Sequence, residues 1–69
     1  MVKLTERQEQ VLSLLVRGFE NPAIAKYLRI KLVTVKWHIA EIYKQFNINS
    51  YRGLIALERR GELNYERKS

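Results

Sequence analysis

The chain has 69 residues, with 13 Lys and Arg against 7 acidic residues and a formal net charge of +6. That length fits one small domain with a marginal core, and the absence of cysteine removes disulfide scaffolds, thiolate zinc sites and thiol catalysis. No apolar run approaches the ~18 residues of a membrane span, and Met1-Val2-Lys3-Leu4-Thr5-Glu6 lacks a signal-peptide core. All the acidic residues are glutamate, and no spacing isolates two of them as a catalytic pair. So small a chain also leaves little room for a ligand-sized cavity. An enzyme, a cofactor and a small-molecule substrate are therefore not expected. Residues 26–52 carry Lys26, Arg29, Lys31, Lys36, Lys44 and Arg52 against the single Glu41, so most of the excess positive charge lies in the middle of the chain. A basic domain is drawn to phosphate or to an anionic surface.

The residue pattern predicts four helices and no strand. Thr5-Glu6-Arg7-Gln8 has the form of a capping box, and Val11, Leu12, Leu14 and Leu15 follow it as an inward face, with Leu4 just ahead. Gly18 supplies a left-handed stop. The second helix is expected to start at Asn21-Pro22, with Asn21 as N-cap and Pro22 in the first turn, and to bury Ile24, Ala25 and Leu28. Arg29-Ile30-Lys31 forms a tight connection, with Ile30 plugging the core. The third helix runs from about 32 to 46. At 100° per residue, Val35, Ile39, Ile42 and Phe46 make a buried stripe with Tyr43 beside it. Val33, Trp37, Ala40 and Lys44 fall on the opposite side, flanked by Lys36 on one edge and by Thr34 and His38 on the other. An indole pointing to water from an isolated monomer is unusual, and with lysines around it such a face suits a DNA groove.

Asn47 is expected to be left-handed and Ser50 to cap the fourth helix, from Tyr51 to about Arg60. Tyr51, Leu54, Ile55 and Leu57 spread over about 160° of that helix, wider than one small core requires. They are candidates, with Glu58, for a dimer surface, and simple burial is the alternative. Residues 62–69 are expected to fray as a tail after a domain spanning 1–61, although Leu63 and Tyr65 offer side chains that can dock. His38 is the lone histidine, with no Cys or Asp nearby, so it reads as a residue packed at the helix edge rather than as a metal ligand.

A short helix, a three-residue connection and a longer helix with a mixed outer face make a helix-turn-helix pattern. The run Leu4-Thr5-Glu6-Arg7-Gln8-Glu9-Gln10-Val11-Leu12, then Gly18, Asn21, Ile24-Ala25, Leu28, Ile30, Thr34-Val35-Lys36, His38, Ile42 and Ser50, resembles the LuxR/GerE-type (NarL/FixJ-like) DNA-binding domain. Lys31 stands where that family usually has a capping serine, and Ala23 where a glutamate is usual. The resemblance implies an all-α, four-helix domain of a bacterial or phage-encoded, cytoplasmic, nucleoid-associated transcription regulator. Such a domain binds double-stranded DNA as a homodimer through its last helix, with the third helix in the major groove. Carried over, Lys36, Trp37 and Ala40 face base edges, Lys31, Thr34, His38 and Lys44 lie near the backbone, and Asn21 approaches a phosphate. The chain would be either a stand-alone effector or one domain of a larger regulator. The layout is also similar to sigma factor region 4. That likeness gives the alternative reading, an adaptor that binds RNA polymerase or another regulator. A membrane-binding role is not expected, since no helix combines a large apolar face with a basic one while lacking a partner for the apolar face.

Overall fold

Thr5 has extended backbone. Its Oγ1 accepts the Gln8 amide hydrogen at 3.1 Å, and Gln8 Oε1 accepts that of Thr5 at 3.0 Å. This reciprocal box satisfies two amides that the first turn would otherwise leave open and starts α1 (Glu6–Val16). In the computed structural model, which describes residues 1–68, α2 (Asn21–Leu28), α3 (Leu32–Gln45) and α4 (Tyr51–Arg59) follow. Helix α3 lies against both α1 and α2. The core is Leu4 with Val11, Leu12, Leu14 and Leu15 of α1, Ile24 and Ala25 of α2, Val35, Ile39 and Ile42 of α3, and Leu54 of α4. The all-α, four-helix helix-turn-helix architecture is the one expected.

All four helices stop by the same device. A residue in the left-handed region follows the last turn: Gly18 (φ 93°), Arg29 (φ 58°), Asn47 (φ 57°) and Gly61 (φ 69°). The next residue's amide then reaches back five positions, Phe19 to Leu14, Ile30 to Ala25, Ile48 to Tyr43 and Glu62 to Leu57, at 2.9–3.1 Å. Carbonyls that the helix end would strand are satisfied, and the apolar residues Phe19, Ile30 and Ile48 are drawn against the core. Glycine adopts this conformation freely and asparagine tolerates it, but arginine does not. Arg29→Gly is therefore expected to raise stability by about 0.5–1 kcal/mol. The urea midpoint reports it, and a lowered midpoint would show that the Arg29 side chain has a stabilising contact outweighing the strain.

Two details correct the sequence reading. Asn21 is not the N-cap of α2. The Ile24 amide bonds to the carbonyl of Glu20 at 3.0 Å, so the helix begins one residue earlier, with Glu20 in the capping position and Asn21 as the first helical residue. Glu20 makes no side-chain capping bond. The fraying expected of residues 62–69 is also absent from the described part, residues 62–68, Ser69 lying outside the described residues. After α4 the chain returns across α1, and β2 (Glu66–Arg67) pairs in parallel with β1 (Lys3–Leu4). The Glu66 amide donates to Val2 O at 2.9 Å and the Lys68 amide to Leu4 O at 2.7 Å. Leu63 and Tyr65 pack on the core, Tyr65 Oη donates to Glu9 Oε2 at 3.0 Å, and Arg67 pairs with the same carboxylate. Those two partners hold the Glu9 carboxyl below the ordinary glutamate range, Arg67 contributing most.

A third correction concerns Leu54. It is fully buried inside the single chain, so it has no surface to offer a second subunit. Gly53 beside it lets Ile48 come close: a Cβ added there would meet Ile48 Cβ at 3.3 Å. Ser50 caps the helix as expected, its Oγ accepting from the Gly53 amide at 3.2 Å.

Candidate nucleic-acid interface

Helix α3 is fixed on its inner side by Val35, Ile39 and Ile42, so the side chains half a turn away must face outward. Val33 is 68% and Trp37 57% exposed, and Lys36, Ala40 and Lys44 are exposed with them. Positions 33, 37, 40 and 44 repeat at intervals of four, three and four, so they line one face of the helix. Val33, Trp37 and Ala40 make its apolar strip, and Lys36 and Lys44 contribute ammonium groups to the same exposed surface. Lys31 is exposed just before the first turn. Thr34 and His38 are half-buried along one edge of this face, as their helical positions predict.

The N-termini of α2 and α3 both lack a side-chain cap, the capping positions being held by Glu20 and Lys31. Their first amides therefore stay available to an outside acceptor. Asn21 and Lys36, distant in sequence, line one open cleft of about 700 Å³ together with Leu32, Ile39, Tyr43 and Tyr51. Lys44 is not part of that cleft. It sits three turns along α3 from Val33 and so extends the basic surface away from it. The role of Leu32 was missed from the sequence. At 100° per residue it falls between Ile39 and Tyr43 on the buried side of the wheel, yet it is 39% exposed beside Val33.

His38 sits at the border of core and surface, with the Trp37 indole edge-on at 5.1 Å between ring centroids. Its Nδ1 is buried with no hydrogen-bond partner among the described residues. Burial, and after it the Arg7 charge, push the imidazole below its ordinary value, so the ring is neutral at neutral pH. A histidine depressed in the folded state binds fewer protons there than in the unfolded chain. Its contribution to stability is complete above the ordinary imidazole value and is lost as the pH falls through that value toward the folded one. The thermal midpoint is expected to drop between about pH 7 and pH 5, and to drop less in His38→Asn. Equal slopes for both proteins would remove His38 as the cause. Among the described residues no three His, Cys, Asp or Glu side chains come together as a metal site.

On α4, Tyr51 is 44% exposed although its hydroxyl donates to Leu15 O at 3.2 Å. Tyr51 and Ile55 line a shallow depression with Arg52, Ala56, Arg59 and Arg60. Leu57 is half-buried and Glu58 exposed. The residues expected at a dimer surface thus divide, with Tyr51 and Glu58 exposed, Ile55 and Leu57 half-buried and Leu54 inside.

A four-helix domain whose third helix is packed on one side and presents a cationic, apolar face on the other is the DNA-binding module of a helix-turn-helix transcription regulator. Residues 2–57 match the family described as "Bacterial regulatory proteins, luxR family", and the chain belongs to that family. It is 44% identical over 45 residues to the HTH-type transcriptional regulator MalT of Vibrio campbellii and to that of Vibrio parahaemolyticus. The MalT of Vibrio cholerae is equally similar, at 44% over 45 residues. The match takes in 65% of this chain but only 5% of each relative, so the chain spans about a twentieth of their length. No helix among the described residues is long and apolar enough to cross a membrane.

Proposed function

We propose that the chain reads a specific site in double-stranded DNA by inserting α3 into the major groove. The observation that carries this reading is the exposed indole of Trp37, held with Val33 and Ala40 among the lysines of a helix whose other side is locked into the core. Lys36, Trp37 and Ala40 face base edges. Lys31, Thr34, Lys44 and a neutral His38 contact the backbone on either side. Asn21 and the uncapped start of α2 meet a phosphate across the cleft they share with Lys36. The family membership and the net charge of +6 support the same reading.

Two copies join through the free face of α4, where Tyr51 and Ile55 form the apolar seam, with Leu57 at its margin and Glu58 and Arg59 as charges of opposite sign beside it. This pairing is isologous, with the same patch used on both copies. It would set two half-sites about one helical turn apart. The activity in the cell is control of transcription at such sites.

Selection of bound duplexes from a random pool tests the reading. A recurrent sequence with two-fold symmetric halves is the expected result. Enrichment of no sequence above the starting pool would defeat specific reading, and an asymmetric single half-site would defeat the dimer. Ile55→Asp should lower self-association in sedimentation without unfolding the domain, because Ile55 is only partly buried.

A further inference from the structure

We infer that the recognition face selects bases chiefly through the 5-methyl group of pyrimidines in the major groove, with Trp37 as the side chain that reads it. This rests on the DNA-binding reading above and deepens it.

The argument begins with what α3 lacks. Sequence is read from base edges most strongly by forked side chains, arginine on guanine and asparagine or glutamine on adenine. The helix sequence LVTVKWHIAEIYKQ holds no arginine and no asparagine, and its single glutamine, Gln45, is the last helical residue. The outward strip instead offers Val33, Trp37 and Ala40, with Leu32 adjoining at the first turn. Lys36, at the edge of that strip, can donate to a guanine edge, but a single ammonium lacks the forked geometry that reads a base bidentately.

Charge complementarity identifies the occupant. Lys31, Lys36 and Lys44 border the strip, so a polyanion is favoured over an apolar protein groove or a lipid. A polyanion whose surface also carries apolar groups is a DNA duplex with its methyls turned into the major groove. In unmodified DNA the 5-methyl of thymine is the only methyl presented there. Val33 and Trp37 therefore lose their water only against such methyls. An RNA helix is disfavoured, because its major groove is too narrow for a helix and its uracils carry no methyl.

The test starts from the best duplex selected out of a random pool of unmodified DNA. Replacing its thymines one at a time with deoxyuridine removes the methyl and leaves every hydrogen-bonding edge intact. At roughly 0.8 kcal/mol for each buried methyl, affinity is expected to fall about fourfold at each thymine contacted. Restoring a group of similar size with 5-bromodeoxyuridine should restore binding. In Trp37→Ala the same substitutions should have little effect, and Trp37 is exposed enough that this variant keeps its helix content. The protein has one tryptophan, so its emission should shift on the thymine duplex and shift less on the deoxyuridine duplex. Placing 5-methylcytosine opposite guanine at the sensitive position separates the two methyl sources. Tighter binding than with unmethylated cytosine opposite guanine at the same position means that the methyl is read whichever base bears it, and equal affinity of those two duplexes overturns the inference.

Equal affinity for the thymine and the all-deoxyuridine duplex would also overturn it while leaving duplex recognition standing. So would an unchanged deoxyuridine penalty in Trp37→Ala. If no duplex binds with the salt dependence of phosphate contacts, the DNA-binding reading fails and the methyl inference falls with it.

Discussion

Replacing Leu54 with alanine is expected to cost about 2–5 kcal/mol. The side chain is fully buried where α4 meets the core. A chain of this size has a total stability near the lower end of the usual range, about 5 kcal/mol. The variant should therefore be largely unfolded at 37 °C, with most helical circular dichroism lost and the urea midpoint near zero. Leu54→Asp should be worse, since it strands a carboxylate in the same place. Any loss of self-association in these variants would follow from unfolding, and only Ile55 and Tyr51 report on the α4 surface itself. A Leu54→Ala protein with an unchanged urea midpoint but halved apparent mass would return Leu54 to the interface and contradict the burial seen here.

The second large effect is electrostatic. Alanine at Lys31, Lys36 and Lys44 together is expected to weaken duplex binding on the order of 30- to 100-fold at physiological salt. The slope of log affinity against log salt should fall in magnitude by about 0.9 for each lysine that rests on a phosphate, so by up to roughly 2.7 for all three. The share of the loss due to Lys31 and Lys44 should be nearly the same for cognate and scrambled duplexes, because phosphate contacts carry no sequence information, while Lys36 at a base edge should add a loss seen mainly on the cognate duplex. Trp37→Ala should behave in the opposite way, leaving the slope alone and narrowing the gap between cognate and scrambled sites. Filter binding or fluorescence anisotropy at several salt concentrations measures both. A triple variant with an unchanged slope would place these lysines away from the DNA backbone.

Much of this was legible in the residue pattern, for reasons that differ along the chain. Thr5 and Gln8 announce α1 because a capping box is local, with every partner within three residues. Val35, Ile39 and Ile42 announce the packed side of α3 because fourteen helical residues are enough for a period of 3.6 to separate two faces cleanly. That separation puts Trp37 outside before any coordinates are known. At the ends of short elements the pattern weakens. Glu20 and Asn21 both precede Pro22, and only the bond from the Ile24 amide decides which of them is helical. In nine residues of α4, a wide apolar arc fits a core contact as well as a subunit contact, and for Leu54 the burial inside the single chain favours the core. The return of the tail is invisible locally. Two-residue strands have no periodicity, and the partners of Tyr65 and Arg67 lie 56 and 58 positions away at Glu9. A charge pattern of Glu near the start and Arg near the end is too common to single out that pair.

The parallel pairing of residues 3–4 with 66–67 also governs how the domain breathes. The first and last described segments of the chain share hydrogen bonds, so neither can peel away without releasing the other. Their opening is a single cooperative event rather than two independent ones. Amide hydrogens of Glu66 and Lys68, which chain ends ordinarily give up to solvent within moments, should exchange slowly and in step with each other. Acid should lower the protection of both together, measured against their intrinsic exchange rates, once Glu9 takes up a proton and lets go of Arg67.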